Sequence, residues 1–348
     1  MKQQLLIAGI AMIVGAGVAS AQASACPPAG SNTTTGAPQN LVHDACLQAV
    51  DLFQFVAPQL GLALTGGNAT LGQGGTLGGF GHFSVGLRGN VFSGDLPQVN
   101  RFPAPRNETS PAPEVLESKK QVMGLPVADA AIGLFKGVPL GLTNVGGIDV
   151  LVSATYVPTI GEANDDVQIK PQNNFKFGYG VRVGLLQESL VVPGVSFTYL
   201  KRDVPTTDIV GNSTNVNLHI DSADVKTTAW RVVASKSFIM FGLAAGIGQD
   251  KYDQSATIRG NVNVPAISAG GVTLPAVQVP IPDVHLDQSL KRTNAFVDLS
   301  LNLPIFKLVV EGGQVSGASP TIPQTNSFSS GKADDSRVYG SVGIRLGW

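Results

Sequence analysis

Between Asn174 and Leu186 the chain reads NFKFGYGVRVGLL, and its polarity changes at nearly every residue. Phe175, Phe177, Tyr179, Val181, Val183 and Leu185 fall on one side of an extended backbone, and Lys176, Gly178, Gly180, Arg182 and Gly184 on the other. Successive side chains of a strand point to opposite faces, so this pattern selects strand over helix. One face is continuously apolar and the other is small or charged. That division suits a wall with lipid on one side and a polar interior on the other. The pattern recurs where Ile148, Val150, Val152, Ala154 and Tyr156 oppose Asp149, Ser153 and Thr155, and where Ala295, Val297, Leu299, Leu301 and Leu303 oppose Asp298, Ser300 and Asn302. A soluble all-β domain with one solvated face is the competing reading of any one segment.

Alternating segments are predicted near residues 80–92, 127–137, 146–157, 174–187, 193–202, 225–236, 238–250, 290–303, 305–316 and 335–348. Connectors counted back from the C-terminus alternate between long or medium (317–334, 251–289, 203–224, 158–173, 93–126) and short (around Pro304, around Ser237, 188–192, 138–145). A barrel with all its short turns at one end has this asymmetry, whereas a sandwich has no reason for it. The fold class expected is therefore all-β, an antiparallel transmembrane barrel of about ten strands with a short N-terminal helix. Residues 251–289 leave twelve strands open, because Ile258, Val262, Val264, Val277, Val279 and Ile281 alternate among prolines.

The final segment, VYGSVGIRLGW, puts Val338, Val342, Ile344, Leu346 and Trp348 on one face and Tyr339, Ser341, Gly343 and Arg345 on the other. It resembles the last strand of bacterial outer-membrane β-barrel proteins. The resemblance covers residues 80–348 by pattern and is close only over the last eleven residues. It implies an outer-membrane location, outer-membrane lipid and the barrel assembly machinery as partners, and an assembly signal in Trp348 with Leu346 and Ile344. The N-terminal helix and glycine region also resemble, loosely, the long-chain fatty acid transporter group.

Residues 1–21 combine Lys2, an apolar stretch from Leu5 to Val18 and Ala19-Ser20-Ala21, the order of a cleavable secretory signal. The stretch is short for the ~20 residues of a spanning helix. Cys26 and Cys46, the only two cysteines, are expected to form a disulfide outside the cytoplasm, with lipidation of Cys26 as a rival. Asp44 can cap a helix carrying Leu47, Val50, Phe53, Ala57 and Leu60, and Pro58 should stop or kink it. Glycine-rich chain follows. Residues 22–79 are thus either a lumen plug or a periplasmic cap, and residues 80–348 the barrel, with both termini expected at the short-turn end.

Net charge is −1 with no basic patch, so nucleic acid is not an expected partner. No Gly-rich phosphate loop ending in Lys-Ser/Thr occurs, no cluster has metal-ligand spacing, and no cofactor is expected. Aromatic residues make up 6% of the chain, few for a barrel with two aromatic girdles. Charged residues predicted to face the lumen are Arg88, Asp149, Lys176, Arg182, Arg231, Asp298 and Arg345, with Glu311 less clearly placed. Such charges either pair with one another in a narrow interior or, with basic groups in excess, favour anions in a constriction. A passive pore or carrier for a small solute is the leading expectation. A structural or surface-interaction barrel is the alternative, and a hydrolase the second, with His82 and Ser84 two apart on the first strand as the only suggestive pair and no catalytic residue assigned.

Overall fold

A computed structural model describes residues 25–31, 37–159, 167–212, 216–264, 266–269 and 272–347. Residues 1–24, which include the expected signal sequence, and Trp348 lie outside the described residues. Ten strands form a closed antiparallel ring: β1 (Phe83–Pro97), β2 (Ser118–Phe135), β3 (Gly147–Tyr156), β4 (Phe175–Leu186), β5 (Gly194–Asp203), β6 (Val216–Ser237), β7 (Phe241–Val264), β8 (Val277–Asn302), β9 (Lys307–Val315) and β10 (Arg337–Gly347). Closure is made by β1 against β10, from Ser84 opposite Gly347 to Phe92 opposite Tyr339. A closed ring leaves no unpaired backbone within the wall, as spanning lipid requires.

The two-residue period sorts the side chains as the sequence indicates. Along β4, Phe175, Phe177, Tyr179, Val181 and Leu185 are exposed on the outside while Gly178, Gly180, Arg182 and Gly184 are buried within. In β10, Val338, Val342 and Ile344 are exposed and Leu346 half-exposed, opposite buried Tyr339, Ser341 and Arg345. Exposed aromatic residues stand at both strand ends, with Tyr179, Phe197, Tyr199 and Trp230 between them. Phe83, Phe135, Phe238 and Phe241 lie at the short-turn end, and Tyr156 and Phe175, with ring centroids 5.0 Å apart, lie at the other.

Residues 251–289 are resolved in favour of extended strands rather than an extra hairpin across the wall. The 24 residues of β7 and 26 of β8 stay paired from Phe241 opposite Leu301 to Val264 opposite Val277, with one register shift between Ile258 and Gly260. Spanning takes roughly 9–11 residues, so more than half of each strand rises beyond the lipid belt. Together with the upper part of β6 and the short strands Val167–Pro171 and Thr207–Asn212, they make a tall sheet at the long-loop end.

That sheet explains the position of helix α1 (Ala37–Thr65). The N-terminal half of α1 buries Ala45, Leu47, Ala49, Val50, Leu52 and Phe53 against Leu218, Ile220, Ile258, Val262, Ile281 and Leu286 of the extensions. From there α1 descends into the ring, and residues 66–82 continue to the start of β1 at the short-turn end. By length and composition, residues 38–64 would suit a membrane-crossing helix, yet here they are enclosed by the barrel.

Three expectations are corrected. Asp44 does not cap the helix, which starts at Ala37 with Pro38 in its first turn, where proline's missing N–H removes no helical bond; the Asp44 carboxylate instead accepts the Arg106 N–H of a long loop (2.8 Å). Pro58 does not stop it. Apolar packing on both sides outweighs the lost bond, and the Gln59 side chain donates to the Phe55 carbonyl within the affected turn (3.0 Å). Lastly, residues 25–31 lie at the long-loop end, tied to the helix by the Cys26–Cys46 disulfide and by His43 Nδ1 against the Pro27 carbonyl (2.7 Å). The apolar inner surface that the upper half of α1 needs exists only at that end.

Candidate functional site: a filled lumen

After Thr65 the chain has no regular structure, so its backbone groups must find partners elsewhere. The barrel wall supplies them. Carbonyls at the end of α1 and just beyond are met by donors: Ala63 by Asn90 Nδ2 (3.3 Å), Gly66 by Asn294 Nδ2 (3.0 Å) and Arg231 (3.3 Å), Gly67 by Arg231 Nε (3.2 Å), Asn68 by Arg88 (2.6 Å) and Leu71 by Arg345 (2.6 Å). N–H groups are met by acceptors. Gly67 and Asn68 donate to the two oxygens of Glu311 (2.8 and 2.7 Å), Gly72 to Asp298 (2.9 Å), Gly74 to Ser235 Oγ (2.8 Å) and Leu77 to Asp149 (3.1 Å).

Cationic donors at the carbonyl end of a helix also complement its macrodipole. The glycines permit the close approach. Gly66 has φ +47°, and a Cβ on Gly67 would stand 2.5 Å from the Phe296 ring and 2.6 Å from Glu311 Oε2.

The wall charges are also paired with one another. Arg182 donates twice to Asp149 (2.9 and 2.7 Å), Arg88 and Arg202 share Asp129 (2.9 and 2.8 Å), and Arg231 meets Asp250 (2.5 Å). Taking a charge out of water is tolerable only with partners of this kind. Of the predicted lumen-facing residues, Arg88, Asp149, Arg182, Arg231, Asp298 and Arg345 are buried on the inner wall, and Lys176 is half-buried at the long-loop end of β4. Glu311 belongs with them, fully buried between the plug and Ser341.

Sequence reasoning missed Asp129, Arg202, Asp250 and Asn294. Each continues an inward parity already visible, Asp250 following Gly246 and Gly248, and Arg202 following Thr198. With them included, Arg88, Arg182, Arg202 and Arg231 each lie within ion-pair distance of Asp129, Asp149 or Asp250, so most of the cationic charge on the inner wall is already paired and not free to draw in a solute anion.

The suggestive histidine pair does not assemble. Ser84 is buried inside β1 while His82 is exposed before it, and no hydrogen bond to the His82 ring forms among the described residues. His285 bonds Thr257 Oγ1 on the tall sheet (2.9 Å).

Fold and lumen together define the class, a ten-stranded transmembrane β-barrel occluded by its own N-terminal segment. No protein-family model matches the sequence, and no curated protein does. Among solved structures, the chain is similar to the outer membrane protease OmpT from Escherichia coli at 11% identity, covering 77% of this chain and 95% of that one with a TM-score of 0.32. The transport unit of the autotransporter AIDA-I from Escherichia coli matches at 8% identity over 76% of this chain and 89% of that one (TM-score 0.29), and the CymD monoaromatic hydrocarbon channel at 10% over 86% and 93% (TM-score 0.24). At such scores the barrel assignment rests on this chain's own closed strand register.

Proposed function

We propose that the protein is a bacterial outer-membrane barrel that passes small solutes only when residues 66–77 leave the wall. The supporting observation is the way this segment is held. It fills the lumen without joining the sheet, so it can detach while all ten strands remain paired, and side-chain hydrogen bonds rather than strand pairing keep it in place. The outer-membrane location follows from the apolar outer face, the signal-like N-terminus and the final-strand pattern, with the long loops outward. Planar-bilayer recording tests the reading. The intact protein should be silent or open only briefly, and a form lacking residues 37–77 should conduct steadily. Steady conductance by the intact protein would refute the closed lumen.

A structural or surface-presenting role is favoured by one different observation, the position of residues 25–31 with their disulfide at the long-loop end. Silence of both forms in the bilayer is its signature.

A further inference from the structure

At the short-turn end, between the start of β1, the β8–β9 turn and the end of β10, lies a cleft of about 290 Å³. Its polar lining is cationic. Lys307 and Arg345 stand directly opposite each other in the β9–β10 register, both on the inner wall, with Ser84, Gln73 and exposed His82 beside them. Like charges in register destabilise a sheet unless something of opposite sign lies against them. No side-chain carboxylate of the described residues lines this cleft. The nearby Glu188 is close enough to act on both cations electrostatically, but its two oxygens are taken up by the Ser237 N–H (2.5 Å) and the Ser235 hydroxyl (3.1 Å), and Asp298 is engaged by the plug. Arg345 gives one nitrogen to the Leu71 carbonyl, while Lys307 Nζ has neither hydrogen-bond nor ion-pair partner among the described residues.

The rest of the lining is apolar and passes from the lumen to the lipid-facing surface. Leu77 is within, while Phe83 and Ile305 are exposed on the outer rim beside Phe306. A ligand bound here is therefore asked to place an anion between two cations and a hydroxyl while laying apolar substance over the rim, at the level where the outer face of the barrel leaves the lipid.

We infer that this cleft binds the phosphate group of an anionic phospholipid, held by Lys307, Arg345 and Ser84 with the acyl chains along Phe83 and Ile305. A planar-forked guanidinium and an ammonium opposite it suit the two non-bridging oxygens over which a phosphodiester spreads its single negative charge. This does not depend on solute passage, since a lipid can occupy the rim whether or not the plug ever moves.

The test uses the full-length protein folded in a neutral detergent, titrated with a short-chain phosphatidylglycerol, a short-chain phosphatidylcholine or inorganic phosphate, with binding read by native mass spectrometry. Phosphatidylglycerol should bind best, and Lys307→Gln should weaken it about tenfold, the loss of one charge-assisted bond. Lys307→Arg should retain binding, and the heat-modifiable gel shift of each variant establishes that the barrel is folded. Arg345 is left intact because it also holds the plug. Equal binding of phosphatidylglycerol and phosphatidylcholine, or undiminished binding by folded Lys307→Glu, would overturn the site. Inorganic phosphate binding as tightly as the lipid would overturn the phospholipid as its source.

Discussion

Replacing Glu311 with Gln tests how the lumen is kept shut. Glu311 accepts the N–H groups of Gly67 and Asn68 on separate oxygens and the Ser341 hydroxyl on one of them. Gln keeps the volume and one acceptor oxygen but turns an amide donor toward the other N–H. Losing that charge-assisted bond and stranding a buried donor costs about 3 kcal/mol. Asp298 stands directly across from Glu311 in the β8–β9 register, so relieving the crowding of two buried acidic groups returns roughly 1 kcal/mol. The closed arrangement is then weakened by about 2 kcal/mol, an increase of about 30-fold in the detached population. Single-channel recording reads this as opening frequency at unchanged unit conductance, because the wall itself is not altered. The reasoning is refuted if folded Glu311→Gln opens no more often than the parent while deletion of residues 37–77 gives steady conductance, for then the plug blocks the lumen but Glu311 does not hold it.

Gly67→Ala should act in the same direction and more strongly, since its Cβ would overlap both Phe296 and Glu311; recordings alongside Glu311→Gln give the comparison. Reducing the Cys26–Cys46 bond, which joins residues 20 apart, should cost the N-terminal segment about 3 kcal/mol, seen as faster protease cleavage within residues 25–60 while the gel shift of the barrel is unchanged. Asp51, in the part of α1 beyond the lipid belt, accepts the N–H groups of Thr325 and Asn326 (2.9 and 2.7 Å) and the Asn326 side chain, and burial raises its pKa from 3.8 to about 6 against those bonds. A raised carboxyl pKa means that the folded form favours the proton, so this group's contribution of about 3 kcal/mol is complete below about pH 4 and is lost as pH rises through 6. Loop 316–336 should therefore resist protease better near pH 5 than near pH 8, and Asp51→Asn should remove the difference.

How far the sequence could be read depended on whether each interaction repeats locally. Strand parity does, which is why the outward row from Phe175 to Leu185 and the inward Asp149, Arg182 and Arg345 are legible from a few residues of context. Partner choice does not. Asp149 meets Arg182 and Leu77, and Glu311 meets residues 67 and 68, across separations of tens to hundreds of residues that no periodicity encodes. The same limit misplaced the helix ends, because Asp44 and Pro58 carry local signals for a start and a stop that long-range packing overrides.

It also concealed what the lumen charges are for. Viewed as rows on separate strands, Arg88, Arg231 and Arg345 suggest a cationic passage; in the closed ring each is turned onto a carbonyl between Gly66 and Leu71. A buried guanidinium without such acceptors would be costly, and an irregular backbone without such donors equally so. The charged wall and the glycine-rich segment each satisfy what the other leaves unpaired. A barrel stripped of the segment would therefore draw water and counter-ions inward to replace it, and for that reason the deletion is expected to conduct and not merely to leave an empty space.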